Sequence, residues 1–245
     1  MAGFVLIHGA WHGGWCFDAV ADRLRSAGHL VDAPTLPGMG GTAEELHAVT
    51  LEGWGRFAAE RCRAMKARLG GGPVILAGHS RGGIVISTAA EIDPEAMDGL
   101  VYVCALMLPD GMSRVEFKAM EAPNPDFDAM IIAVEDGAGT LVDPTLAGAV
   151  FAQMSPPDLV EAALPRLTIE PHRVRSTPLS LSAERWGSRP RTYVECAQDR
   201  TIPLSSQRLM QELCPGARRV TLDCDHSPFL SDPDGLTGAL LSALA

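Results

Sequence analysis

VILAGHSRGGIVISTAAEI, Val74–Ile92, opens with an apolar run, meets a serine framed by glycines, and resumes as an apolar run of helical character. The pattern is strand, G-x-S-x-G, helix, with Gly78, Ser80 and Gly82 in the defining places. A chain that reverses this tightly from strand to helix must hold the serine in a strained conformation with its hydroxyl exposed. Side chains at 78 or 82 would collide with neighbouring elements, so both positions call for glycine. The helix that starts here also aims free N–H groups and its positive dipole end at the same point. Five small residues are a weak signal alone, since Ser80 could simply cap the helix. The strand before and the helix after them make Ser80 a candidate nucleophile.

Short apolar runs recur on both sides of this turn, each closed by Gly, Pro or Asp. They are FVLI (4–7), HLVDA (29–33), LVYVCAL (100–106), TYVECA (192–197) and RVTLD (219–223). Several are apolar on both faces, as parallel strands covered by helices must be. Between them, LEGWGRFAAERCRAMKARL (51–69) places Leu51, Trp54, Ala58, Cys62, Met65 and Leu69 on one stripe and stops at Gly70-Gly71-Gly72. FDAVADRLRSAG (17–28) ends on Gly28, and DPDGLTGALLSAL (232–244) starts with Asp232 as N-cap and Pro233 in the first turn. Alternation of strand and helix predicts an α/β fold: a mostly parallel sheet of about six strands with helices on both faces.

From about 107 to 187 the rhythm breaks. The stretch is rich in Pro, Met, Ala and Asp and shows no clear buried strand, although RVEFKAMEA (114–122) and PDLVEAALPRL (157–167) read as short helices. A structureless loop of that length is improbable. A helical cap inserted above the sheet of a single domain, forming one wall of a pocket, is the expectation.

The 245 residues carry a formal net charge of −10, which argues against nucleic acid or an anionic membrane surface as partner. Cysteines 16, 62, 104, 196, 214 and 224 form no C-x-x-C pair and no zinc-like spacing. Cys104 and Cys196 lie inside apolar runs, so a reducing compartment is expected. MAGFVLIHGA lacks a basic leading segment and reads as a first strand rather than a signal peptide. No apolar run reaches the roughly 18 residues of a membrane span. The expectation is a cytoplasmic protein, and a homodimer is compatible with the sequence.

A serine nucleophile on such a sheet is followed in the chain by an acid and then a histidine. Only His172 and His226 follow Ser80. His172 falls late in the cap, where solvent exposure is expected, whereas His226 follows the last strand, at the end of the sheet where open α/β sheets place their chemistry. Asp199, just after TYVECA, is the candidate acid, able to hold the imidazole in one tautomer. Asp223 and Asp225 are rivals, but they are too close to His226 in sequence to approach its ring easily. The N–H of Arg81, after the nucleophile, is one expected oxyanion donor, and the Gly-rich loop HGAWHGGW (8–15) should supply another. His8 and His12 share no helix face and have no following carboxylate at zincin spacing, so no metal site is expected.

FVLIHGAWHGGWCF, GHSRGG, ERWGSRPRTYVECAQDRTIP and CDHSPFLSDP resemble the α/β-hydrolase branch that contains plant methyl esterases, hydroxynitrile lyases and related bacterial esterases. The resemblance is good at both ends of the chain and poor in the middle. It implies the α/β-hydrolase fold, without the usual first two strands because FVLIHG comes first. It also implies Ser80 as nucleophile, Asp199 as acid, His226 as base and Ala10 as the loop oxyanion donor. Arg81 stands where the branch usually has a small or aliphatic residue; as only its N–H is called on, Arg81→Leu is expected to keep appreciable activity.

The resulting expectation is a serine carboxylesterase that cleaves small, mainly apolar esters through an acyl-enzyme, without a cofactor. Hydroxynitrile lyase chemistry and a non-catalytic small-ligand receptor are the alternatives on the same fold. In the resembling lyases a lysine follows the triad histidine and a threonine replaces the first-loop glycine; here those positions hold Ser227 and Gly9.

Overall fold

The structure, a computed structural model, describes residues 1–244. Six strands form one sheet: β1 (Gly3–Ile7), β2 (Leu30–Asp32), β3 (Val74–His79), β4 (Gly99–Val103), β8 (Arg191–Cys196) and β9 (Arg218–Leu222), in the spatial order β2-β1-β3-β4-β8-β9. Every pairing in it is parallel. Strand β1 shows why the runs read as apolar throughout. Val5 and Ile7 point into a core packed by the Leu51–Arg68 helix, while Phe4 and Leu6 point into a second core with Phe17, Phe229 and Leu240. Both faces are covered, so alternation between polar and apolar is lost.

Strand order reverses between β1 and β3, because the chain leaves β1 toward β2 on one side and returns to β3 on the other. Loops at such a switch point open a crevice at the carboxyl ends of the strands. The FVLI, VILA, TYVECA and RVTLD runs match their strands within a residue or two. LVYVCAL stops short at Val103, because Cys104 turns to a positive φ of 35° and the chain bends toward the serine turn, where Leu106 N–H donates to Ser80 O at 2.9 Å.

The segment above the sheet is not purely helical, contrary to expectation. Helices Arg114–Lys118, Pro125–Ala129, Pro144–Phe151 and Pro157–Ala163 are joined by a three-stranded antiparallel sheet, β5 (Ile131–Val134), β6 (Gly139–Val142) and β7 (Glu170–Pro171). Glu135, Asp136 and Gly137, all at positive φ, turn β5 into β6. These strands are two to four residues long and β5 is largely exposed, so they never display the buried apolar run by which a strand is read. Trp11, Phe127, Met130, Val142 and Phe151 form a separate apolar cluster beneath them. Among the described residues, no helix is long and apolar enough to cross a membrane.

Candidate active site

The glycine requirement at the serine turn is visible in the contacts. A Cβ on Gly78 would lie 2.6 Å from Gly82 O, and one on Gly82 would lie 2.6 Å from Ile7 O. Ser80 itself sits at φ 52°, in the left-handed region, where a non-glycine residue is strained and needs its surroundings to hold it. Two clasps hold it: Ser80 N–H donates to Val103 O at 3.1 Å, and Leu106 N–H donates to Ser80 O. The turn is thereby pinned to the end of β4, with the serine hydroxyl turned toward the crevice.

Asp199 and His226 reach this point from the ends of β8 and β9. His226 Nδ1–H donates to Asp199 Oδ2 at 2.6 Å, and His226 Nε2 lies 3.0 Å from Ser80 Oγ. A carboxylate only accepts, so the proton sits on Nδ1 and leaves Nε2 free to accept from the serine hydroxyl. The second Asp199 oxygen accepts from Thr201 N–H (2.7 Å) and Ile202 N–H (2.8 Å), and Gln207 Nε2 adds a donor to Oδ2 at 3.4 Å. The Asp199 carboxylate is therefore held from both sides, with its Oδ2 aimed at the ring. On the His226 side, His79 Nε2–H donates to the His226 carbonyl at 2.7 Å, with the two rings 4.7 Å apart.

Asp225, the rival acid, is engaged elsewhere. It accepts from Met154 N–H, Ser155 Oγ–H, Ser227 N–H and Ser231 Oγ–H at 2.8–3.0 Å, tying the cap to the histidine loop. Asp223 accepts from Gln198 Nε2 instead. His172 is exposed, as expected.

The loop after β1 is organised around one peptide plane. The Gly9 carbonyl accepts from His8 Nδ1–H at 2.8 Å and from Arg81 Nη2–H at 3.2 Å. That fixes the peptide it shares with the Ala10 N–H, which points the opposite way. A Cβ on Gly9 would come within 2.8 Å of Ser80 Cβ, so glycine is what lets this loop reach the serine. Ala10, Ser80 and Arg81 line one pocket, and among the described residues neither the Ala10 nor the Arg81 N–H meets an acceptor. Two unpaired main-chain donors thus flank the hydroxyl.

His8 and His12 spend their rings on the same loop: His8 Nε2 accepts from Leu36 N–H, and His12 Nδ1–H donates to Ala10 O. Burial pulls His8 down to about 3 and His12 down to about 4, and holds His79 well below the ordinary histidine value. All three stay uncharged at neutral pH.

The Arg81 side chain is not idle. It is 5% exposed, lies 3.1 Å from Glu170 through Nη1, stacks over Trp54 at 4.3 Å, and supports the Gly9 carbonyl. The sequence leaves this side chain without a place, and the structure puts it against Glu170, Trp54 and the Gly9 carbonyl. Sequence reasoning also missed Glu170, Gln207, His79 and Asp225 as supports. An oddly charged residue next to Ser80 was the one signal pointing to any of them, and it named no partner.

Residues 4–239 match the alpha/beta hydrolase family. The pyrethroid hydrolase of Sphingobium wenxiniae is 31% identical, with 96% of this chain and 85% of that protein aligned. Methylesterase 7 of Arabidopsis thaliana is 29% identical over 97% of this chain and 94% of its own. The crystal structure of a pyrethroid hydrolase from Sphingobium faniae superposes with a TM-score of 0.86 at 30% identity, covering 99% of this chain and 97% of that one. The chain belongs to the alpha/beta hydrolase family, in the branch that holds the plant methylesterases and the bacterial pyrethroid hydrolases.

Proposed function

We propose that this carboxylic-ester hydrolase works through Ser80 as nucleophile, His226 as general base and acid, and Asp199 as the acid that orients it. The observation that carries the reading is the unbroken line Ser80 Oγ, His226 Nε2, His226 Nδ1, Asp199 Oδ2, with spacings of 3.0 and 2.6 Å at its two gaps. Ser80 Oγ attacks the ester carbonyl as His226 takes its proton. The carbonyl oxygen becomes an oxyanion held by the N–H groups of Ala10 and Arg81. His226 gives the proton to the leaving alcohol, and an acyl-enzyme remains. A water deprotonated by His226 then releases the acid and restores Ser80. Asp199 keeps the Nδ1–H bond throughout and stabilises the imidazolium as it forms. This route calls on no cofactor.

Trp11, Leu106, Phe127, Ile131 and Ile202 line the pocket beside Ser80, which supports small esters with a mainly apolar body. We read the chain as one domain, with the cap inserted at about residues 107–187. All six cysteines are unpaired and buried, which supports a reducing, cytoplasmic setting.

Ser80→Ala should retain the wild-type melting temperature and lose roughly 10⁴-fold or more of p-nitrophenyl ester turnover. A fluorophosphonate probe should label wild type at Ser80 and leave the variant unlabelled. Retention of most activity by a folded Ser80→Ala protein would remove Ser80 from the mechanism.

A further inference from the structure

The pocket beside Ser80 is apolar on most of its wall but carries three arginines, Arg81, Arg114 and Arg175, with a single carboxylate, Glu170. Their charges are not all balanced. Arg81 is paired with Glu170 at 3.1 Å, and Arg114 is paired at 2.7 Å with Glu121, which is itself buried. Arg175, half-buried in the short turn Arg173–Ser176 of the cap, has no ion-pair or hydrogen-bond partner for its guanidinium among the described residues. Of the three guanidiniums that line the pocket, Arg175 alone has no carboxylate within ion-pair distance, although its charge acts on Glu170, in a chain whose net charge is −10.

A second feature points the same way. Arg81 is 95% removed from solvent, yet its Nε and Nη1 make no hydrogen bond; Nη1 is close to Glu170 Oε2 but poorly aligned with it. Because those two nitrogens are closed to solvent, Arg81 contributes to the pocket wall as a fixed charge behind it rather than as a donor to a guest. The apolar residues Trp11, Phe127, Ile131 and Ile202 give such a guest a hydrophobic body to lie against.

We propose that the pocket selects esters that carry a carboxylate at the end remote from the scissile bond, half-esters of dicarboxylic acids being the simplest, and that Arg175, supported by Arg81, receives that carboxylate. The proposal rests on ester hydrolysis at Ser80. In that reaction a half-ester and water become the dicarboxylic acid and the alcohol, and the remote carboxylate takes no part in the bond changes. Arg175 is thus a specificity-determining residue rather than a catalytic one. The planar fork of a guanidinium suits a planar carboxylate, which a lysine would meet only as a point charge.

The test compares monomethyl glutarate with dimethyl glutarate, in which the remote carboxylate is capped by a methyl group, with the diester's rate halved for its two equivalent ester groups. Wild type should show kcat/KM roughly tenfold or more higher on the half-ester, the size of one charge-assisted hydrogen bond. In Arg175→Met that preference should collapse to about unity, and Arg175→Lys should restore part of it. Binding is read separately by calorimetry on Ser80→Ala, where glutarate should bind at least roughly tenfold tighter than the neutral diester, and the added substitution Arg175→Met should remove the difference. A wild type that prefers the diester, or a preference untouched by Arg175→Met, overturns the anion site while leaving ester hydrolysis standing. Glutarate binding that depends on Arg175 in a protein that cleaves no ester would do the reverse.

Discussion

At the carboxyl end of the sheet, Ser80, Asp199 and His226 hang from backbone that is itself clamped. Ser80 is tied to β4, and Asp199 receives two main-chain N–H bonds from its own loop. The cap meets that end differently. It rests on a small apolar cluster and on side-chain clasps: Glu170 to Arg81, Met154 and Ser155 to Asp225, Thr140 to Trp11, and Asn124 to the Arg200 carbonyl. One region positions chemistry by the geometry of strands and turns. The other positions a pocket wall by pairs of residues far apart in the chain. Substitutions in the first should cost rate, and substitutions at the clasps should cost stability.

The widest separation is expected between the two aspartates near His226. Asp199→Asn presents the wrong hydrogen-bonding partner to Nδ1 and should lower kcat by roughly 10⁴-fold with a modest change in melting temperature. Asp225→Asn should keep the rate within about tenfold, because it touches neither the ring nor the serine. It should cost about 2–4 kcal/mol of stability, since an amide cannot accept from all four donors that converge there. Steady-state kinetics alongside denaturant melts separate the two. The reverse pattern, with rate lost at 225 and stability at 199, would erase the distinction.

Arg81 straddles the boundary and should show both kinds of loss. Arg81→Leu leaves Glu170 buried without its partner, at a cost of about 3–5 kcal/mol. It also removes one of the two donors on the Gly9 carbonyl, leaving His8 alone, and a loosened Ala10 N–H should reduce kcat by roughly tenfold. Adding Glu170→Leu should restore much of the stability, because no lone buried charge remains, but it should not restore the rate. Recovery of both in the double variant would mean that the guanidinium matters only to Glu170 and not to the oxyanion loop.

A last contrast concerns the buried histidines of the sheet end. The unfolded chain takes up protons on His8 and His12 below an ordinary value of 6.5, while the folded chain resists until about 3 and about 4. The unfolded state therefore binds more protons in that interval, so stability is complete above 6.5 and declines as pH falls through it. Each group should contribute up to about 1.4 kcal/mol per pH unit. Denaturant midpoints at pH 7, 6 and 5 measure the decline, and a flat profile would show that these rings titrate freely in the folded protein.

Much of this was readable from residue order. A parallel strand buried on both faces is a short apolar run, a strand-to-helix turn over a serine demands glycine at 78 and 82, and the His226 and Asp199 loops each follow an apolar run directly. These are local constraints, enforced by sterics and solvation within a few residues. What lay beyond reach depended on distance. Glu170 is 89 positions from Arg81, and nothing around either residue specifies the other. The cap strands are too short to carry a periodic signal, and β5 is largely exposed. Arg175 looks like any surface cation until the fold turns it toward Ser80 and gives the nearby carboxylates to other arginines. The sequence by itself determined that Ser80, Asp199 and His226 stand on loops at the carboxyl ends of three strands. Only tertiary structure decided which charges are spent on one another and which is left facing the pocket, because ion pairing is set by proximity in space.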